Sequence, residues 1–542
     1  MMTAGTDGSN GLLRFVGSPW VGIHPGVPIS EDPFAHSCLQ QIRVWLQDCI
    51  HHHSECRQSE PGRLPTRVID VGASIDATPC LYVSKGETAP YTTLSYRWGT
   101  NMTFRTTKEN LTTHQKALDM ETLPATFRDA ISVTRRLGIR YLWIDALCIV
   151  QGDNEDWRRE SGRMASVYGS STLTLSATSS ASPDAGLSQR RPSTVYFHED
   201  FTGTKHEVHI RRPIYHRFLY EPNGRRDTQY PTLNRGWCFQ ERLLSHRVLH
   251  FTHNEMVWDC RSDWLCECGH DSEGEKDESY LQTFHKFRQR LRTKHGDQVW
   301  DVHQQWGQII ESYCSTSLTY ESDMLPAISG IVQSLQNTVL GRYFAGLWEL
   351  DIIPQLMWHY IPTRPRRSFG KPTTEYVAPS FSPLSRTGGN IYYHYQKEKE
   401  FKVKVTDIQT TPLGSDPIGA VIGGHITLVG PTLAVRVISI TCYLESGATV
   451  RFSTSTGQIG SMNFMPDANE YHEAIQPDDQ LFLLQFHSWF WLVLRRDDQT
   501  GIFRRIGCSL YRDTFGWTQD LEKTLRLEDM AHMMLDMTLV IH

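Results

Sequence analysis

The chain has 542 residues, 39% hydrophobic and 21% charged, with 15 Trp, 21 Tyr, 22 Phe and a net charge of −6. That length exceeds what one core usually supports, so two or three structural units are expected, and the aromatic content argues against disorder. The mildly acidic balance argues against nucleic acid or an anionic membrane as the main partner, and the 12 Cys are scattered rather than set in the dense framework of a small secreted domain.

The first residues lack a basic start followed by an apolar core, so no secretory signal is expected. The most apolar stretch, 481–494, is interrupted by Gln485 and His487 and is too short to span a bilayer as a helix. A cytoplasmic chain with reduced thiols and no membrane span follows as the expectation.

In chain order, 1–35 is rich in Gly, Ser and Pro and reads as an irregular lead-in. Leu39, Ile42, Trp45, Leu46, Cys49 and Ile50 recur at helical spacing. Short strands are expected at 67–71 and 81–83, and a buried-type strand at 91–96. A helix from about Pro124 buries Phe127, Ala130, Ile131, Val133, Thr134 and Leu137, with Thr122 as N-cap and Gly138 as C-cap. A strand at 141–144, a helix at 157–168 and a strand at 172–177 complete an alternation that implies parallel βαβ crossovers. A loop-rich excursion at 182–232 precedes a strand pair at 248–251 and 256–258. The α/β domain is thus expected over 36–270, a helical region over 271–365 and a β-rich domain over 366–542. Within the last, Asp497-Asp-Gln-Thr-Gly501 predicts a hairpin turn into 502–506.

Three blocks carry the chemistry: Tyr91-Thr-Thr-Leu-Ser-Tyr-Arg-Trp-Gly99; Tyr141-Leu-Trp-Ile-Asp-Ala-Leu-Cys-Ile149 with Asp156-Trp-Arg-Arg-Glu160; and Arg235-Gly-Trp-Cys-Phe-Gln-Glu-Arg-Leu-Leu244. Each sets Trp beside Arg, Asp or Glu near a strand-like run, and open α/β sheets bind ligands at the carboxyl ends of their strands. Asp145 ends a strand and either faces ligand or caps the next turn. Gln240 and Glu241 can line the same cleft, while Arg242 is better suited to holding the sheet together. Cys148 sits in an apolar run and reads as core. No P-loop, Gly-rich dinucleotide fingerprint or Gly-x-Ser-x-Gly elbow is present.

Cys49, His53 and Cys56 fall at i, i+4 and i+7, and Cys260, Cys266, Cys268 and His270 form a second cluster from which a fourth zinc ligand can come. Neither has paired Cys-x-x-Cys knuckles, and free Cys is among the most buried residue types. The sequence therefore favours core thiols, and no metal ligand is assigned.

In order and wording the three blocks resemble the fungal heterokaryon-incompatibility (HET) domain family. The likeness extends to Trp45, Cys49, His53 and Cys56, to the run 317–330, and to Ala345-Gly-Leu-Trp348. Arg97 stands where the family usually has Cys, Val150 where it has Asn, and Phe381-Ser-Pro-Leu384 departs from its Trp- and Ser-rich strand. More distantly, Leu94-Ser-Tyr-Arg97 and the segment ending in Glu160 resemble TIR domains. This resemblance implies a TIR/flavodoxin-like parallel sheet and gives Glu160 the place of the glutamate of TIR NAD glycohydrolases, with Asp145 and Glu241 as further catalytic candidates. A fixed carboxylate there would stabilise the positive charge that develops on ribose. Its alternative is a carboxylate favoured in the first turn of a helix.

Tyr96, Arg97, Trp98, Trp157, Arg235 and Gln240 are the matching ligand-binding candidates, with Trp98 or Trp157 stacking on the base and Arg97 or Arg235 pairing with pyrophosphate. NAD enters as substrate, and no bound cofactor is assigned. The resemblance implies an effector of fungal non-self recognition and cell death, with a small molecule or nucleotide in the α/β cleft and a homo-oligomer or an incompatibility partner protein as its company. An enzyme of fungal secondary metabolism and a non-enzymatic oligomerising module are the alternatives.

Overall fold

A computed structural model describes residues 2–6, 13–14, 29–57, 62–74, 76–99, 104–187, 191, 194–199, 202–210, 229–269, 280–292, 299–361, 371–373, 375–387, 389–394, 400–414, 416–443, 447–467, 475–510, 525–526, 530 and 533–542. The chain divides into two units, Met1–Lys286 and Phe287–His542.

The first unit is built on an eight-stranded sheet. In chain order its elements are α1 (His36–His52), β1 (Arg67–Asp70), β2 (Cys80–Val83), β3 (Tyr91–Ser95), α2 (Ala125–Arg136), β4 (Tyr141–Trp143), α3 (Asn154–Ser161), α4 (Met164–Gly169), β5 (Leu173–Ser176), α5 (Gly236–Leu244), β6 (Arg247–Phe251), β7 (Met256–Cys260) and β8 (Trp264–Cys266). The spatial order is β8-β7-β6-β5-β3-β4-β1-β2. β6, β5, β3 and β4 are parallel neighbours, whereas β1 and β2 at one edge and β7 and β8 at the other pair antiparallel. The sheet is therefore mixed and not wholly parallel. The edge strands β1–β2 and β6–β7–β8 are joined by short links, which permit only antiparallel pairing, while helices cross over between the central strands. Taken alone, the parallel strands stand in the order second, first, third, fourth, so the strand order reverses between β3 and β5.

The central strands are covered on both faces: every residue of β3 and β5 is buried. Their threonines are accommodated by pairing, Thr92 Oγ1 with Thr134 Oγ1 and Thr93 Oγ1 with Thr174 Oγ1, both at 2.7 Å. α2 buries Phe127, Ala130, Ile131, Val133 and Thr134. It starts from Pro124 rather than from a Thr122 cap, and Gly138 at φ 77° turns the chain after it. The helix expected over 157–168 is divided into α3 and α4, with Gly162, a poor helix former, as the C-cap of α3. Within the stretch expected to be loop-rich, Thr194–Glu199 and Lys205–Ile210 form an antiparallel hairpin.

In the second unit, helices Val299–Cys314 and Pro326–Leu335 precede strands β9 (Val421–Tyr443), β10 (Gly447–Thr454), β11 (Ile459–Pro466), β12 (Gln480–His487), β13 (Phe490–Arg496) and β14 (Phe503–Leu510). Their pairing closes: β9 with β10, β10 with β11, β11 with β14, β14 with β13, β13 with β12, and β12 back to β9, all antiparallel. Period-two alternation sorts the side chains. Leu433, Val435, Leu481, Leu483, Trp491 and Val493 enter one core, and Phe482, Leu484, Phe490, Leu492 and Leu494 enter another on the opposite face. The expected hairpin turn is present: Asp497 Oδ1 accepts from Gln499 N at 3.0 Å and Thr500 N at 2.8 Å, and Gly501 has φ 71°. Among the described residues no helix is long and apolar enough to cross a membrane.

Candidate functional site

At the carboxyl end of β4 the chain turns into a single helical turn, Asp145–Cys148. The Asp145 carboxylate accepts from Tyr96 Oη at 2.8 Å, Trp98 Nε1 at 2.6 Å and the Ala146 amide at 2.6 Å. Tyr96 and Trp98 follow directly on β3, so two neighbouring strand ends converge on one carboxylate. Asp145 is partly exposed, Tyr96 buried, Trp98 partly exposed and Arg97 exposed. Burial raises the pKa of Asp145 above the ordinary carboxylate range, against these donors and the positive charge of Arg235. Asp145 thus accepts from the next residue's amide at the start of its turn as well as from the two aromatic side chains.

The third block supplies α5, whose Glu241 is 4% exposed. Burial first, and then the charge of Asp145, push its carboxyl up to about 8. Ser95 and Tyr168 lie near enough to oppose that shift, as does Arg235, yet Glu241 Oε2 has no partner in hydrogen-bonding geometry. Cys238 Sγ, one turn earlier, donates to the Tyr96 carbonyl at 3.4 Å and ties α5 to the end of β3. Gln240 is fully buried on the same helix, and Arg235 is its partly exposed N-cap. Trp157 of α3 meets Trp237 of α5 edge to face, with ring centroids 6.4 Å apart. Residues from all three blocks are thereby in contact, at the carboxyl ends of β3 and β4.

Glu160 stands apart from this cluster. It is 3% exposed, accepts from Thr66 Oγ1 at 3.0 and 3.1 Å and from Arg159 Nε at 3.0 Å, and lies 3.6 Å from Arg163 Nη1. It also lines a cavity of about 460 Å³ with Arg63, Lys85, Arg163, Ser84 and Tyr91. Asp156 beside it is buried between Arg67 and Arg159 and accepts from the Val150 amide at 2.7 Å, fixing the loop that follows Asp145–Cys148. Burial pushes the Cys148 thiol up to about 12, in keeping with the core reading.

Residues 91–241 match the family model of heterokaryon incompatibility protein (HET). The HET match opens on the first residue of β3 and closes on Glu241, so it encloses the Asp145 cluster, the first two blocks and the third as far as Glu241. No match is found among curated proteins or among solved structures. Within the HET region, Ser95 and Tyr168 join the cluster without having been singled out as site residues. Ser95 lies inside the first block, so proximity to Tyr96 was its signal. Tyr168 closes a helix more than twenty residues from Asp145, and only the packing of α4 against the sheet brings it close.

Proposed function

We propose that this chain is a heterokaryon-incompatibility-type effector of fungal non-self recognition and cell death, whose HET region cleaves the nicotinamide–ribose bond of NAD at the Asp145–Glu241 cluster. The observation that carries the reading is the convergence of the three blocks on that pair, with Tyr96 and Trp98 donating to Asp145 and α5 tied to the end of β3 through Cys238. Asp145 is a carboxylate aimed by three donors, and Glu241 next to it is a carboxyl held protonated at neutral pH. A neutral Glu241 spares Asp145 a second negative charge, and separated acidities of this kind assign different roles to two like groups.

In the reaction, the bond between ribose C1′ and the nicotinamide nitrogen breaks and its electron pair leaves with nicotinamide, which becomes neutral. Asp145 faces the positive charge that develops on the ribose. Water adds to C1′ and gives up its proton to Asp145, yielding ADP-ribose. Trp98, Trp157 and Trp237 supply aromatic surface for the base, and Arg97 and Arg235 supply cations for the pyrophosphate. Glu160 is less suited to this task, because Arg159 and Arg163 already neutralise it.

A second reading keeps the TIR-like assignment. It rests on the cavity beside Glu160, where Arg63, Lys85 and Arg163 offer cations to a nucleotide phosphate. Nicotinamide release by the full-length protein, measured across protein concentration, separates the two. Loss in Asp145→Asn and Glu241→Gln with retention in Glu160→Gln is expected. Loss in Glu160→Gln alone moves the chemistry to the cavity. No release by the folded wild-type chain at any concentration overturns both, in favour of assembly-based signalling or secondary-metabolite chemistry.

A further inference from the structure

α1 ends at His52, and the chain then makes one tight 3₁₀ turn, Ser54–Cys56. The His53 amide donates to the Cys49 carbonyl at 3.3 Å, and the Cys56 amide to the His53 carbonyl at 3.1 Å. That reversal sets Cys49, His53 and Cys56 around one point. Cys260, the last residue of β7, arrives at the same point from more than two hundred positions away, with its Sγ 3.4 Å from His53 Nδ1. The three sulfurs and one ring nitrogen all lie within 4.8 Å of one another. All three cysteines are free thiols at 0% exposure. We infer that Cys49, His53, Cys56 and Cys260 form a structural zinc site that fastens the end of α1 to the edge of the sheet.

The geometry fits zinc. Tetrahedral bonds of about 2.3 Å to sulfur and about 2.0 Å to nitrogen set ligand-to-ligand distances of about 3.5–3.8 Å. The charge also fits. Three thiolates and one divalent cation carry a net −1, and the buried Arg247 side chain lies against them, its Nε donating to Cys49 Sγ at 3.2 Å. The same guanidinium donates to the Cys56 carbonyl at 2.5 Å. The Asp263 amide donates to Cys260 Sγ at 3.3 Å, and Ser262 Oγ lies 3.6 Å from Cys56 Sγ. N–H and O–H donors aimed at sulfur are the outer shell that thiolate-bound metal requires, whereas neutral buried thiols have no need of a matching cation. Four protein ligands close the tetrahedron, so the ion would have no open position and would act in folding rather than in catalysis. A second trio, Glu255, Cys266 and Cys268, lacks a fourth described ligand, and His270 lies outside the described residues.

The test is metal content of the purified full chain after dialysis against a chelator, with cobalt substitution of the same protein. About one zinc per chain is expected, with a cobalt spectrum showing tetrahedral d–d bands and strong thiolate-to-cobalt charge transfer. Cys260→Ala should lose the metal, and Cys266→Ser should keep it. Should Cys260→Ala fail to fold, the wild-type cobalt spectrum decides. A folded wild-type chain that binds neither metal, a disulfide among these cysteines, or metal lost in Cys266→Ser but kept in Cys260→Ala would each overturn the site.

Discussion

Glu241 holds its proton through neutral pH because burial and the charge of Asp145 both oppose ionisation, which places its folded-state acidity at about 8. In the unfolded chain the same carboxyl titrates near about 4.3. Between these values the folded chain carries a proton that the unfolded chain lacks, so this group's contribution to stability is present at low pH and is lost as pH rises towards 8. Its slope is about 1.4 kcal/mol per pH unit across that window. Glu241→Gln should remove that slope, and urea midpoints of wild type and variant at pH 5 and pH 8 measure it. Parallel pH profiles in the two proteins would mean that Glu241 is ionised in the fold. This consequence was not visible from the third block alone, where Glu241 stands among Gln240, Arg242 and apolar neighbours with nothing in the sequence to mark Asp145 as its neighbour.

The elements that present the cluster depend on ordinary local signals. α3 begins at Asp153, whose side chain accepts from the Glu155 and Asp156 amides at 3.1 and 3.3 Å. Asp153→Ala should destabilise the folded chain by about 1 kcal/mol through loss of this cap. A change within error by urea denaturation would show that Lys108, 2.9 Å from the same carboxylate, or another contact holds the turn instead. Strand positions were legible because Thr, Leu and aromatic runs fall between Gly, Pro and charged turns. The break between α3 and α4 was less so: apolar spacing continues across Gly162, and only the observed cap shows that the helix stops there. The hairpin Thr194–Glu199 to Lys205–Ile210 is less legible, because Val195-Tyr-Phe197 is a run of only three apolar residues and the second strand mixes His, Glu and Lys with only two apolar residues.

At the scale of the whole chain, the two units reach stability by different routes. The first covers parallel strands with helices, and the second closes antiparallel strands into a ring. In that second unit Arg505 of β14 is fully buried. It bonds to Asp467 at 2.8 Å and to the Leu356 carbonyl at 2.8 Å, and lies 3.4 Å from the centre of the Trp358 ring. Arg505→Met leaves Asp467 buried without its cation and should cost about 3–5 kcal/mol. Asp467→Leu added to Arg505→Met should recover much of that loss, as read by denaturant unfolding. A double variant no more stable than Arg505→Met alone would show that the carbonyl bonds and the stacking, rather than the ion pair, carry the effect.

By itself the sequence determined the resemblance to the HET family, the α/β character of the first part, the β-rich character of the last, and most central strands. These rest on signals carried within one block or one period of the chain. Only the tertiary structure decided which blocks meet. It set Asp145 against Tyr96 and Trp98, placed Glu241 within reach of Asp145's charge, left Glu160 in a separate arginine-bound setting, and brought Cys260 to Cys49, His53 and Cys56. It also made the sheet mixed, since short links at both edges enforce antiparallel pairing. Such outcomes depend on strand order and on burial. Neither is encoded in local spacing, because burial shifts an acidity and strand order joins residues that are more than two hundred positions apart.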